Sequence, residues 1–284
     1  MDKIILGYDF TENSESALNM ALILAEKGNC ALEIVWVDDT LDDTVQIAKE
    51  TIRQRMDEML RNIVSQNNQL LPNGRLVYSI AFGRVYDALI KKANFEDAAL
   101  IVIGSRAHNG VETRFLSSTV FKITEKSDCP VLTIPQGYEP STDFKHLVFP
   151  VDFVFSTRQK ASMAAWFGEK FNSFVYILGL LTSSEEYHVE KVKEYACQVG
   201  RFLVTNQIEH EIIYRNTNNL AKTILSFAYE SKSDMILIMT EQEKSLSNIL
   251  KGSYTHQILA TSTIPVLTLK PLNINTLDKE NLGT

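Results

Sequence analysis

The chain is written twice, and that repeat limits its possible folds more than any other feature. Lys3-Ile4-Ile5-Leu6-Gly7-Tyr8-Asp9-Phe10 resembles Lys145-His146-Leu147-Val148-Phe149-Pro150-Val151-Asp152-Phe153, and setting Asp9 on Asp152 gives an offset of 143. Towards the end of each half, Cys129-Pro130-Val131-Leu132-Thr133-Ile134 matches Ile264-Pro265-Val266-Leu267-Thr268-Leu269 at an offset of 135, which also carries Ser117-Ser118 onto Gly252-Ser253. Two separated anchors in the same order speak against chance. The second copy is therefore 8 residues shorter, and the spacing places the loss in the second helix and its loop, 42–73 in the first copy. The turn-rich stretch 135–143 separates the copies. The expected organisation is a first domain over 1–137, a second over 144–271 and a polar tail over 272–284.

Within each copy, short β-branched runs alternate with helical stripes. In the first, strands are expected at 4–8, 31–37, 75–81, 99–103 and 131–134. Helices are expected at 14–27, 42–67, 84–94 and 117–126. Copy two gives the same βαβαβαβαβ order. Such alternation implies an α/β fold: two tandem Rossmann-like five-stranded parallel-sheet domains with right-handed crossovers. Ligands of such sheets sit outside the carboxyl ends of the strands. The loops after strands one, two and four are therefore the candidate sites.

Composition narrows the function classes. The net charge of −7 comes without any Lys/Arg-rich block, which argues against a nucleic-acid partner. The longest apolar stretch, Phe174–Leu181, falls well short of the ~20 residues of a bilayer span. No membrane partner and no secretory signal are expected. Cys30, Cys129 and Cys197 are scattered and odd in number, as expected of reduced thiols in a cytoplasmic protein.

The loop after strand four of copy one, Gly104-Ser105-Arg106-Ala107-His108-Asn109-Gly110, continues to Ser117-Ser118. Small residues, arginines and a Ser-Ser pair opening a helix suit an anion cradle. They equally suit a plain helix cap at Ser117 or Ser118. Asp9 and Asp152 likewise fit either a contact to ligand or a brace for the following helix. No P-loop, GxGxxG or HExxH motif occurs. The five histidines are dispersed, so no metal site is expected, and most are read as surface residues. Trp36 and Trp166 are read as core, and the acidic run 38–43, which could suggest a metal, as a solvated face or a helix start. No catalytic residue stands out.

These residues resemble the universal stress protein family, most specifically in Leu100–Arg106 through Ser127–Leu132, and the likeness covers nearly the whole chain as a tandem pair. The family's nucleotide-binding members carry an Asp at the end of strand one. After strand four they carry a Gly, two residues, a Gly, nine residues, then Gly-Ser or Gly-Thr. Carried over, Asp9 matches the nucleoside contact, Val37 falls where backbone meets adenine, and Arg106 lies near the phosphates. Gly104 and Ser118 match the motif; Ala107 and Ser117 replace its second and third glycines. In copy two Asp152, Gly252 and Ser253 match, whereas Met239 and Gln242 replace the first two glycines, and Glu241 and Glu243 would repel phosphate.

The resemblance implies a cytoplasmic, non-enzymatic stress-response protein with ATP or another adenine nucleotide in the first domain at most. Two alternatives are a slow ATPase or nucleotide hydrolase in the first-domain cleft, and a partner-binding module without nucleotide. Strand five of each copy would be an apolar sheet edge. The expectation is an intramolecular pseudo-dimer, the two fifth strands antiparallel about a pseudo-twofold, with a homodimer of the whole chain as a further assembly.

Overall fold

The computed structural model describes residues 1–39, 46–71, 75–105, 117–139, 144–240 and 253–272. The first copy runs β1 (Lys3–Gly7), α1 (Glu12–Gly28), β2 (Ala31–Asp38), α2 (Gln46–Asn67), β3 (Leu76–Phe82), α3 (Val85–Phe95), β4 (Leu100–Gly104), α4 (Ser118–Lys126) and β5 (Val131–Ile134). The second runs β6 (His146–Val151), α5 (Ala161–Phe171), β7 (Phe174–Leu181), α6 (Glu186–Thr205), β8 (His210–Asn216), α7 (Leu220–Glu230), β9 (Met235–Met239), α8 (Tyr254–Thr261) and β10 (Val266–Leu269).

The strands form one sheet in the order β3-β2-β1-β4-β5-β10-β9-β6-β7-β8. Every pairing is parallel except β5 with β10. The central strands are apolar on both faces, as helix-covered parallel strands must be; Ile4, Ile5 and Leu6 of β1 are all fully buried. One buried core lies beneath α1, α2, α5 and α6. The other lies beneath α3, α4, α7 and α8. Both cores run through both copies.

The junction is self-complementary. Leu132 faces Leu267, flanked by Thr133 opposite Val266 and Val131 opposite Thr268. Leu132 and Leu267 are equivalents at the 135 offset, so a local twofold passes between them. Around it, Thr268 Oγ1 donates to the Val131 carbonyl (3.2 Å), Lys270 pairs with Asp128 (2.7 Å), and the Phe121 and His256 rings meet edge to face. Gly28, the last residue of α1, abuts Trp166 of α5; a Cβ there would lie 2.6 Å from the indole. The sequence pair Gly28-Asn29 is a helix stop, and the left-handed cap is Asn29 (φ 54°); the glycine before it makes room for the other copy's ring.

Strand starts locate the shortening. The offset is 143 at β7 (174 against 31), 134 at β8 (210 against 76) and 135 at β9 (235 against 100). The loss thus falls in the crossover carrying α6, and one residue is regained around α7. The copies also differ at the amino end of the sheet. In copy one, Glu33 is buried between Lys3 (2.6 Å) and Lys92 (2.7 Å), which also hold Glu96. In copy two, His146, Tyr176 and Phe227 occupy the equivalent positions and pack as rings.

Candidate functional site

The carboxyl end of the copy-one sheet is assembled by β1, β4 and the start of α4. After β1, Tyr8 is buried and its hydroxyl donates to the Glu15 carboxylate. Burial and then that carboxylate push the phenol pKa up. The chain turns at Phe10, whose φ of 60° is left-handed. Asp9 is exposed, and its Oδ1 accepts from the Thr11 amide (3.2 Å) and Thr11 Oγ1 (2.5 Å). Thr11 caps α1 in a reciprocal box with Ser14. Asp9 therefore braces the helix start from the strand end where a ligand would meet it.

Gly104 ends β4 beside that helix start. A Cβ there would stand 2.4 Å from the Asn13 carbonyl oxygen and 2.7 Å from its carbon. The first motif glycine thus has a reason inside the protein: the first turn of α1 lies against it. Ser117 is the N-cap of α4, its Oγ accepting from the Val120 amide (3.2 Å). Ser118 is the exposed first residue of the helix, beside its uncommitted amides. The Val37 side chain is buried in the α3–α4 core, on the strand next to β1. The fold brings Asp9, Val37, Gly104, Ser117 and Ser118 to one end of the sheet. Arg106 and Ala107 lie outside the described residues.

A nucleotide fits these residues in part. Asp9 would meet a nucleoside at the strand end, and the α4 N-terminus with the Ser118 hydroxyl would meet phosphate. Ser117, where the family keeps glycine, adds a side chain and commits its oxygen to the cap.

The second mouth is built differently. Asp152 makes the same brace, its Oδ1 accepting from the Val154 amide (2.8 Å). Met239, buried, replaces Gly104. A full side chain fits because the first helix does not start where it does in copy one: Phe155–Arg158 form a 3-10 turn and α5 begins at Ala161. Lys160, 1% exposed, fastens that turn by donating to the carbonyls of Pro150 (2.7 Å) and Thr157 (2.5 Å) over the Phe149 ring. Burial lowers the lysine pKa, and burial raises that of Asp152 nearby. Across the mouth, the Tyr254 and Thr255 hydroxyls donate to the Met239 carbonyl (3.0 and 3.3 Å). They tie the end of β9 to the start of α8. Thr119 and Val120 stand at those positions in copy one. Ser253 caps α8 through the His256 amide (3.2 Å). Gln242, Gly252 and the two glutamates lie outside the described residues.

Three readings change. Asp38 is not solvated: it is buried at the end of β2 and paired with Arg53 of α2 (2.6 Å), whose guanidinium covers Phe82. An Asp and an Arg fifteen residues apart give no local signal of meeting. The four described histidines are half-buried rather than surface residues, and His108 lies outside the described region. Trp36 and Trp166 are partly buried and pack against one core. Among the described residues no His/Cys/Asp/Glu cluster has metal-holding geometry, and no helix is long and apolar enough to cross a membrane.

The sequence model of the universal stress protein family matches residues 1–135 and again 143–270. The stress response protein NhaX of Bacillus subtilis is 26% identical over 161 residues, spanning 47% of this chain and 97% of its own length. A universal stress protein of Thermus aquaticus is 26% identical over 133 residues, spanning 46% and 96%. The crystal structure of a universal stress protein from Archaeoglobus fulgidus superposes with a TM-score of 0.73 at 17% identity, covering 94% of this chain and 98% of its own.

Proposed function

We propose, for a chain that belongs to the universal stress protein family and carries its domain twice, a non-enzymatic stress-response role with at most one weakened adenine-nucleotide site, in the first domain. The observation that carries this reading is the asymmetry of the two mouths. Copy one keeps glycine at the end of β4 and an exposed serine at the start of α4. Copy two fills the first position with Met239 and ties its carbonyl to α8. In copy one, Asp9 would accept from the nucleoside while the α4 amides and Ser118 hydroxyl would meet phosphate.

The same reading takes 1–137 and 144–271 as the domains, keeps the β5–β10 junction in solution, and places the protein in the cytoplasm without nucleic-acid or membrane partners. The junction covers the edge strands that each copy alone would expose. The test is to denature purified protein and chromatograph the supernatant, then to follow unfolding with added ATP and Mg²⁺. Ligand at 100 times Kd adds about 2.7 kcal/mol. No released nucleotide and no shift at millimolar ATP would leave the partner-binding reading. Turnover abolished by Asp9→Ala would establish the hydrolase reading.

A further inference from the structure

A second cleft opens at the far edge of copy two, away from the mouth described above. It has a volume of about 800 Å³ and lies between the carboxyl ends of β7 and β8 and the outward side of α7. That size is in the range of small-molecule sites, roughly 300–1,000 Å³. Its walls join the apolar Leu181 and Phe227 to hydroxyls and amides, among them Ser184, Asn216 and Asn218, with two cations, Arg215 and Lys222, and one acid, Glu230, on the last turn of α7. Neither cation forms an ion pair with a described carboxylate; Arg215 donates to the Tyr214 carbonyl (3.2 Å) and leans over Phe227.

The two copies show that this composition is particular to the second. By strand register Arg215 stands where copy one has Ala81, and by helix register Lys222 stands where copy one has Asp87. One neutral position has become positive and one negative position has become positive, in a chain whose net charge is −7. Copy one also covers its strand end: Arg53 reaches from α2 onto Phe82 and pairs with Asp38. Copy two ends β7 with Leu181 at the position of Asp38. A site lined by many hydrogen-bonding side chains, with two cations in its wall that pair with no described carboxylate, matches a ligand with a charged end and a hydroxylated body.

We propose that this cleft binds a small hydroxyl-rich anion of the sugar-phosphate class, with Arg215 and Lys222 holding the anionic end and Asn216, Asn218 and Ser184 the hydroxyls. The proposal is independent of nucleotide in the first domain, because the cleft shares no residue with that mouth.

Titration of the full chain with glucose 6-phosphate, inorganic phosphate and glucose, followed by amide NMR and calorimetry, tests it. The expected result is saturable binding of the sugar phosphate that shifts the amides of 182–184 and 215–222, and weaker binding of either part alone. The Arg215→Ala/Lys222→Ala double variant loses affinity at least tenfold, Lys222→Arg retains most of it, and Asp9→Ala leaves it unchanged. The variant residues are exposed, so unfolding is expected to be unaltered. Millimolar sugar phosphate that leaves these amides unmoved overturns the proposal. So does binding unchanged in the double variant, and inorganic phosphate binding as tightly as the sugar phosphate overturns recognition of the hydroxyls.

Discussion

Replacing Gly104 by alanine separates two reasons for a glycine at the end of β4. The added methyl would lie 2.4 Å from the Asn13 carbonyl oxygen and 2.7 Å from its carbon. Ordinary contact needs about 3.4 Å or more, so something must yield by up to an ångström. What must yield is backbone in a helix turn fixed by the Thr11–Ser14 capping box, not the end of a flexible side chain. Overpacking of this kind costs about 1–3 kcal/mol, and disturbing the cap adds to it by up to about 1 kcal/mol. If all 284 residues unfold together, the entropy near Tm is about 0.6 kcal/mol per degree, so a loss of 2–3 kcal/mol lowers Tm by about 3–5 °C. If the copies unfold separately, the shift roughly doubles and is confined to one of two transitions. Scanning calorimetry on nucleotide-free protein distinguishes these cases. A Gly104→Ala protein with unchanged Tm and lost only in nucleotide affinity would refute the packing argument and assign the glycine to ligand.

Three further outcomes follow from the packing and charges. Glu33→Gln should cost about 2 kcal/mol at neutral pH, below the usual 3–5 for a broken buried pair because Lys3 and Lys92 remain about a fifth exposed. Burial raises the Glu33 pKa, but hydrogen bonds from both lysines outweigh it, so the folded value lies below the unfolded one. The wild-type advantage is therefore present above the ordinary carboxylate range and shrinks as pH falls through the folded value, which urea unfolding at stepped pH reads directly. Lys160 has the same sign in a more alkaline window. Its folded pKa is lowered, so the unfolded chain binds the extra proton between that value and 10.5, and stability relative to Lys160→Met should rise with pH across that window; a flat difference would mean the lysine is not desolvated. At the junction, Gly28→Leu in a Trp36→Phe background should push the Trp166 indole towards solvent, seen as a red-shifted emission; an unshifted spectrum would place the ring elsewhere.

Much of the fold is legible because the repeat and the buried strands are local signals. Ile4–Leu6 and Leu100–Ile103 announce central strands by unbroken apolar runs and Val131–Ile134 by one broken only by Thr133, and two offsets suffice to put the shortening in the second crossover. What escapes the sequence is what depends on distant partners. Nothing near Phe155 says that the first helix of copy two starts late; the late start belongs with Met239 at the end of β9 and with Lys160 bonding back to Pro150. Gly28-Asn29 reads correctly as a helix stop, but the second duty of Gly28 escapes because its neighbour Trp166 from the other copy is 138 residues away. The motif residues of the first mouth are legible by spacing. The brace at Asp9 and the cap at Ser117 are legible as alternatives to ligand contacts, whereas the contact of Gly104 with the Asn13 carbonyl is set by geometry that spacing does not encode.

The central claim is that two copies of one domain retain nucleotide capacity in the first alone. Equilibrium dialysis of the full chain against labelled ATP, with Asp9→Ala and Asp152→Ala beside it, addresses that claim most directly. The account predicts no more than one nucleotide per chain, lost with Asp9→Ala and kept with Asp152→Ala. Two nucleotides per chain, or one that survives Asp9→Ala and is lost with Asp152→Ala, would contradict it.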